Sequence, residues 1–219
     1  MSGLDPNIQA FYDRYDEAER LQQGYFALEE ARTRELLQRH LPPAPARVLD
    51  VGGAAGAYAL WLAGLGYDVQ LVDPVARHVE QARAASAAAA APLRGASLGD
   101  ARALEQADGS VDALLLLGPL YHLPQRGDRL GALREAARVL APGGVLFAAA
   151  ISRFASLFDG LHGAVFEDPA FLDVVREDLR SGRHLNPTGR LEYFTTAFFH
   201  RPEELREELA EAGFADVVL

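Results

Sequence analysis

From residue 47 onward the chain alternates short apolar runs with segments of helical periodicity. The apolar runs predict strands at 47–51, 68–72, 93–98, 111–117 and 145–151. Helices are predicted between them at 56–64, 75–91 and 128–140. Strands that are separated by helices of this length favour right-handed crossovers and parallel pairing. The alternation therefore predicts an α/β fold with a Rossmann-like, doubly wound, mostly parallel sheet.

The residues before this core are predicted to be helical. Residues 6–41 have a helical pattern, and the prolines at positions 42, 43 and 45 end the last helix. We therefore expect residues 1–45 to form N-terminal helices that act as a lid beside a core of residues 46–151. Tyr12 and Tyr15 are candidates for closing over a ligand, and packing between helices is an equally good role for both.

The residues after the core break the alternation. Segment 152–200 is rich in phenylalanine and predicts a helix at 168–180, so we expect it to be a helical cap insertion that binds the substrate. Residues 201–219 predict a last helix at 202–212 and a sixth strand over Phe214–Leu219. The length of 219 residues suits a single domain that contains all of these segments.

Composition excludes several classes of function. The formal net charge is −10, from 21 basic and 31 acidic residues, and an acidic surface repels the phosphates of nucleic acids. The chain has no cysteine, and its six histidines show no metal-ligand spacing, so we predict no metal site. Neither a membrane-spanning run nor a signal peptide is recognisable, and we expect a cytoplasmic protein that does not bind membranes.

A run of small residues follows the first predicted strand, within VLDVGGAAGAYAL. Here a strand must turn sharply into a helix, and small side chains let a ligand lie against the backbone. The small residues of this turn are Gly52, Gly53, Ala54 and Gly56. The turn departs from the dinucleotide pattern G-x-G-x-x-G, because its third and sixth positions are Ala54 and Ala57. A nicotinamide-dependent oxidoreductase is therefore a weaker alternative.

Three aspartates follow the first three predicted strands, at the edge where ligands of such sheets bind. Asp50 would repel a pyrophosphate but attract the ammonium group of an amino acid. Asp73 lies at the spacing from the glycine turn that suits acceptance of hydrogen bonds from ribose hydroxyls. Asp100, with the backbone of Ala101, is placed to bind an adenine amine. For each aspartate, capping of a turn or of the next helix is the alternative role.

The fourth predicted strand is the most apolar, and it opens into a loop in LLLLGPLYHL. Gly118 is expected beside the reactive end of the ligand, with Tyr121 and His122 just above it. A histidine with an ordinary pKa near 6.5 suits proton removal from an acceptor. His122 is our first candidate for a general base, and His200 is the second.

Together these motifs resemble the class I S-adenosylmethionine-dependent methyltransferases. The resemblance is strongest over residues 47–151 and rests on five motifs in order: VLDVGGAAG, LVDP, GDA, LLLLGPLYHL and REAARVLAPGGVLF. Its small-molecule branch, related to the methyltransferases of ubiquinone and menaquinone biosynthesis, is the most similar. S-adenosylmethionine is therefore the expected cofactor. The resemblance implies cofactor-binding roles for Gly52–Gly56, Asp73, Pro74, Asp100, Ala101, Leu117 and Gly118.

Three further features of the sequence can be compared with the family pattern, at Ala54, at Arg32 and at the end of the sheet. Ala54 stands where the family usually has glycine, and its methyl group narrows the pocket. The helix ARTRELLQRHL is similar to one in glycine N-methyltransferase, where an arginine grips the cofactor carboxylate, and Arg32 matches that arginine. The family sheet has seven strands, whereas this sequence ends where strand six is expected. An exposed sheet edge can pair with another chain, so both a monomer and a homodimer are open.

The resemblance implies methyl transfer to a small molecule by in-line displacement at the sulfonium methyl group, with the acceptor atom undetermined. The aromatic residues of segment 152–200 suggest an apolar or aromatic acceptor, although core packing would account for most of them. These residues are Phe154, Phe158, Phe166, Phe171, Tyr193, Phe194, Phe198 and Phe199. The alternative function is a non-catalytic sensor or partner subunit that binds S-adenosylmethionine without turnover.

Overall fold

The computed structural model describes residues 5–14, 26–163 and 165–219. Its main sheet contains β1 (Arg47–Val51), β2 (Asp68–Asp73), β3 (Gly95–Leu98), β4 (Val111–Leu116) and β5 (Leu140–Ala148). The spatial order is β3-β2-β1-β4-β5, and each neighbouring pair is parallel. The predicted doubly wound α/β fold is confirmed.

Helices cover both faces of this sheet. In the described residues they are α1 (Pro6–Arg14), α2 (Phe26–His40), α3 (Ala57–Gly64), α4 (Ala76–Ala88), α5 (Arg126–Val139), α6 (Ala155–Gly163), α7 (Pro169–Ser181) and α8 (Pro202–Glu211). Residues of α2, α3 and α4 share one hydrophobic cluster with the sheet. Residues of α5 and α8 share the other cluster, on the opposite face.

The burial of β4 explains why its sequence is continuously apolar. Ala113 and Leu115 belong to the cluster with α3, whereas Leu114 and Leu116 belong to the cluster with α5. Because successive side chains of a strand point to opposite faces, a strand covered on both sides needs apolar residues at every position. The strand order reverses between β1 and β4, which brings the loops after these two strands together at one crevice.

Segment 152–200 contains α6, α7 and most of a small sheet. That sheet has the order β6-β8-β7, formed by β6 (Ile151–Ser152), β7 (Arg183–His184) and β8 (Ala197–His200). Helix α7 begins after Asp168, whose side chain accepts a 2.8 Å hydrogen bond from the Ala170 backbone, and ends at Gly182 with φ 75°. A separate apolar cluster forms around Phe171, Val175 and Tyr193.

The prediction of a sixth strand over Phe214–Leu219 is wrong, because these residues form coil with a bend at Asp216. Asp216 adopts φ 54°, a left-handed conformation that interrupts an extended chain. The apolar residues Phe214 and Val217 instead pack against the cluster that contains α5 and α8. The Val217 carbonyl also accepts a hydrogen bond of 2.8 Å from Arg206.

The expectations about membranes and metals concern residues 5–14, 26–163 and 165–219 of the structure. No helix there combines the length and the hydropathy that crossing a membrane requires. The same ranges contain no group of three or more histidine, aspartate or glutamate side chains that could hold a metal ion.

Candidate active site

A cavity of about 700 Å³ opens at the carboxyl ends of β1, β2, β3 and β4. Its volume falls within the range of pockets that bind small molecules and cofactors. Residues of α1 and α2 complete the wall. Most of the residues predicted to bind a cofactor line this cavity, namely Asp50, Gly52, Gly53, Ala54, Asp73, Pro74, Asp100, Ala101, Leu117 and Gly118.

The glycine turn after β1 depends on close backbone approach. Gly52 has φ +72°, and a Cβ added there would lie 2.7 Å from the Cγ atom of Pro119. A Cβ added at Gly53 would lie 2.6 Å from Oδ2 of Asp50. Gly56 does not line the cavity; it is buried beneath the turn, and its backbone N–H donates to the Gly53 carbonyl at 2.9 Å. The turn therefore brings β1 and the loop after β4 into contact.

Asp50 is a buried carboxyl group in the cavity wall, with 2% of its surface exposed. Its Oδ2 atom has no hydrogen-bond partner among the described residues. The pKa of Asp50 is raised to about 7, mainly by burial and to a smaller extent by the negative charge of Asp73. A cation in the cavity would remove both penalties, because it supplies the missing partner and offsets the repulsion.

Asp73 ties the glycine turn to the start of α4. Its Oδ2 atom accepts a hydrogen bond from the Ala54 backbone at 2.9 Å. Its Oδ1 atom accepts one from the Val75 backbone at 2.9 Å and faces Nδ1 of His78 at 3.1 Å. His78 also lines the cavity, and sequence reasoning missed it. Its position five residues after Asp73, in the first turn of a helix, was the available signal.

Asp100 lies in the cavity wall, but its carboxylate is already paired. Arg102 contacts both oxygens, with Nε 2.9 Å from Oδ1 and a terminal nitrogen 2.5 Å from Oδ2. Burial raises the pKa of Asp100, but the hydrogen bonds from Arg102 lower it by more, so it lies below its usual value. No helix begins here, because the residues after Asp100 form turns. Asp100 therefore does not cap a helix, and Arg102 is a second residue that the sequence did not reveal.

His122 lines the cavity beside Gly118, as the sequence predicts. The hydroxyl group of Tyr12, in α1, lies 2.7 Å from its Nε2 atom. Burial lowers the pKa of His122 to about 4, although the Thr196 backbone and the charge of Asp73 act in the opposite direction. At neutral pH the imidazole is therefore uncharged and hydrogen-bonded to Tyr12. Tyr15, the other predicted lid residue, lies outside the described residues.

The prediction of Arg32 as the carboxylate-binding arginine is not supported. Arg32 is exposed on α2, forms an ion pair of 2.5 Å with Glu35 and does not line the cavity. Arg34, two positions later, does line it. Two residues correspond to about 200° around a helix, so these side chains lie on opposite faces. Arg34 pairs with Glu30 at 2.6 Å and lies over the Trp61 ring, 5.1 Å from its centre.

The prediction of His200 as a second general base is wrong, because this side chain does not line the cavity. It is 3% exposed, and its Nε2 atom lies 3.3 Å from Oε2 of Glu208, in α8. Glu208 is in turn held by the buried Arg129 at 2.7 Å. His200 therefore belongs to a buried network that joins β8, α5 and α8.

The aromatic residues of segment 152–200 also do not form the cavity wall that was expected. Of the described residues that line the cavity, none comes from this segment. Phe171 and Tyr193 pack in its own apolar cluster, and Phe158 is 61% exposed. Phe194 comes nearest, with its ring 5.7 Å from that of His122. The aromatic side chains of the cavity are instead those of Tyr12, Tyr58, Tyr121 and the two histidines.

Comparison with known proteins agrees with this geometry. Residues 48–144 match the model of a family described as a methyltransferase domain. Over 159 residues the chain is 35% identical to the ubiquinone biosynthesis O-methyltransferase of Xanthomonas axonopodis. The aligned region covers 72% of this chain and 64% of that relative. A Methanosarcina mazei S-adenosylmethionine-dependent methyltransferase is 22% identical, with a TM-score of 0.63 and coverage of 80% and 82% of the two chains.

Residues 48–144 therefore match a methyltransferase domain, and the chain shares the fold of that S-adenosylmethionine-dependent methyltransferase. A methyltransferase of Mycobacterium tuberculosis is 39% identical over 106 residues, or 48% of this chain and 40% of that relative. The chain thus spans about two fifths to just under two thirds of the length of these curated relatives. The domain match covers β1 to the start of β5, which are the elements that build the cavity.

The lining of the cavity includes groups that would suit the ammonium, carboxylate, ribose and adenine parts of S-adenosylmethionine. The unpartnered Oδ2 atom of Asp50 fits an ammonium group, and Arg34 fits a carboxylate. Asp73 faces the cavity with acceptor oxygens that suit hydroxyl groups. Asp100, held by Arg102, and the backbone of Ala101 lie at the end of β3, where the adenine is expected.

Proposed function

We propose that this protein transfers the methyl group of S-adenosylmethionine to a small apolar or aromatic molecule. The observation that carries the proposal is the composition of the cavity wall beyond Gly118. Tyr12, Tyr121 and His122 lie together there, with the ring of Tyr121 4.7 Å from that of His122 and the ring of Tyr12 5.4 Å from it. Flat aromatic and apolar groups pack well against such a wall.

The residues on the cofactor side have a positioning role in this proposal. Asp50 and Arg34 would hold the amino acid end, and Asp73 and Asp100 would hold the nucleoside end. The cofactor, when bound, supplies a methyl group on a positively charged sulfur that is reactive toward nucleophiles. The chain contributes mainly by aligning the acceptor with that methyl group and by excluding water, and alignment alone can account for several kcal/mol of the barrier.

His122 and Tyr12 form the polar part of the acceptor side. Because the buried imidazole is neutral, it can accept a hydrogen bond without first losing a proton. The pair would orient an acceptor hydroxyl or amine. The Tyr12 oxygen would take the proton of the acceptor while the Tyr12 hydroxyl proton passes to Nε2 of His122 along the 2.7 Å hydrogen bond. Helix α1 would therefore contribute directly to the acceptor site.

Two further observations support a small acceptor. The net charge of −10 disfavours a nucleic acid substrate. The name of the Xanthomonas relative refers to O-methylation in the biosynthesis of ubiquinone, a small molecule. For this chain we therefore propose a small acceptor molecule and a preference for methylation at an oxygen atom.

Methyl transfer from radiolabelled S-adenosylmethionine to a panel of small phenols, catechols and aromatic amines tests this function. We expect labelled product from the wild-type protein and a kcat about 100-fold lower for His122→Ala, since a positioned proton acceptor contributes roughly this factor. The KM for the cofactor should change less. His162→Ala, in an exposed position on α6, is the matched control and should keep the wild-type rate. Labelling of protein or nucleic acid alone would contradict the proposal.

A further inference from the structure

We infer that His78 is a further ligand-binding residue of this cavity, which accepts a hydrogen bond from one ribose hydroxyl of the cofactor beside Asp73. The inference rests on the proposed use of the cavity for S-adenosylmethionine. His78 lies in the first turn of α4, lines the cavity and is 3% exposed. His78 belongs neither to the glycine turn nor to the three aspartates for which the sequence predicts cofactor binding.

The hydrogen bonds of His78 define which ring nitrogen lacks a partner. Nδ1 lies 3.1 Å from Oδ1 of Asp73, and this oxygen also accepts a hydrogen bond from the Val75 backbone. Because a carboxylate oxygen can only accept, Nδ1 carries a proton. In the neutral ring Nε2 is then an acceptor. Nε2 is buried and has no hydrogen-bond partner among the described residues.

Asp73 alone has limited capacity for two ligand hydroxyl groups. Its carboxylate already faces three donors, from Ala54, Val75 and His78. Oδ1 faces two of these, and Oδ2 faces only one. Since each carboxylate oxygen has about two acceptor positions, one remains on Oδ2. Two adjacent hydroxyl groups would thus be shared, one by Oδ2 of Asp73 and one by Nε2 of His78.

A purely structural role for His78 makes a different prediction. In that case the imidazole only orients Asp73 through Nδ1, and Nε2 is covered by the Tyr12 ring, which packs edge to face at 5.5 Å. Two substitutions separate the roles. In His78→Asn the amide nitrogen can replace Nδ1 as a donor to Asp73 but nothing replaces Nε2. In His78→Gln the longer side chain returns a polar group near the position of Nε2.

The experiment is titration calorimetry with S-adenosylhomocysteine and with its 2′-deoxy and 3′-deoxy analogues. For the wild-type protein we expect both analogues to bind more weakly, since one lacks the hydroxyl group bound by Oδ2 of Asp73, and we expect about tenfold weaker binding of the analogue that lacks the hydroxyl group bound by His78. His78→Asn should bind S-adenosylhomocysteine about tenfold more weakly and should no longer distinguish that analogue. His78→Gln should recover part of the affinity. Thermal unfolding of each variant verifies that it is folded.

The possible failures are distinguishable. If the wild-type protein binds S-adenosylhomocysteine but His78→Asn keeps the wild-type affinity and the same preference against both analogues, the role of His78 is overturned and the cofactor assignment stands. If His78→Asn loses affinity equally for all three compounds, the residue acts only by positioning Asp73, and the inference is also overturned. If the wild-type protein binds none of them, the proposed function itself fails.

Discussion

Two buried carboxyl groups of this protein have opposite surroundings. Asp50 lies in the cavity wall, its Oδ2 atom has no partner among the described residues, and burial raises its pKa to about 7. Glu208 lies in α8 and faces Arg129 of α5. Burial raises its pKa too, but hydrogen bonds from His200 and Arg129 outweigh that effect and lower the pKa to about 2. Both residues are 2% exposed, so burial alone does not separate them.

The difference distinguishes a binding site from the scaffold that holds it. Buried charges in a scaffold are stable only with partners, and Glu208 has them within the fold. Asp178, in α7, is likewise paired. Its Oδ2 atom lies 2.9 Å from Nδ1 of His184 and accepts a hydrogen bond of 2.6 Å from the Ser156 hydroxyl group. An unpartnered carboxyl group in a cavity is unfavourable in the free protein and is satisfied by a cationic ligand.

Removing a scaffold partner should have the largest effect. Arg129→Met leaves Glu208 buried without its main counter-charge, and we expect the free energy of unfolding to fall by about 3–5 kcal/mol. Urea unfolding measures this loss. Arg134→Met is the matched control, because Arg134 is an exposed residue of the same helix that pairs with Glu211 at the surface, and its unfolding midpoint should be unchanged. Equal midpoints for the two variants would remove the distinction between Glu208 and Asp50.

Asp50→Asn should have the opposite consequences. We expect the affinity for S-adenosylhomocysteine at pH 8 to fall about 100-fold, since a charge-assisted contact with the ammonium group is lost. The ligand-free variant should unfold at a higher temperature than the wild-type protein at that pH. A raised pKa means that Asp50 favours the folded state when protonated, and this contribution is lost as the pH rises through about 7. A variant with normal affinity would contradict the role of Asp50.

The pH dependence of cofactor binding follows from the same group. The ammonium group of the ligand would bind the ionised form of Asp50, and because the pKa of Asp50 is about 7 the ionised form is scarce at pH 6. We expect the affinity of the wild-type protein for S-adenosylhomocysteine to rise about tenfold between pH 6 and pH 8. In Asp50→Asn this dependence should be lost. An equally steep dependence in the variant would assign the titration to another group.

The smallest effect is expected from the arginines of α2. Arg34→Gln should weaken binding of S-adenosylhomocysteine about fivefold, because Arg34 faces the cavity and its charge can contact the ligand carboxylate. Arg32→Gln is the control on the opposite face and should bind normally. Calorimetry of both variants decides between them, and a larger loss for Arg32 would restore the assignment made from sequence.

The core and most of the residues that line the cavity could be predicted because their positions follow from strand ends. Once β1, β2 and β3 are recognised as parallel strands, Asp50, Asp73 and the residue Asp100 must come to the same edge of the sheet. The glycine turn has a local backbone requirement that the sequence also displays, with φ values of +72° at Gly52 and +90° at Gly56.

The remaining residues could not be predicted because they depend on contacts between distant elements. The choice between Arg32 and Arg34 depends on which face of α2 meets the sheet, and a weakly amphipathic helix does not display this. His200 is buried because Glu208 lies beside it on α8. His78 belongs to the cavity because Asp73 holds its ring. For the expected last strand, the left-handed conformation of Asp216 outweighed the apolar pattern.

The most direct test of the account is titration of the wild-type protein with S-adenosylhomocysteine at pH 7 in buffers of different ionisation enthalpy. The account predicts one bound equivalent and release of a fraction of a proton, since the ligand ammonium converts Asp50 to its ionised form. Asp50→Asn should release no proton on binding. Binding without proton release in the wild-type protein, or the absence of any binding heat, would contradict the claim that this cavity holds the cofactor through the unpartnered oxygen of Asp50.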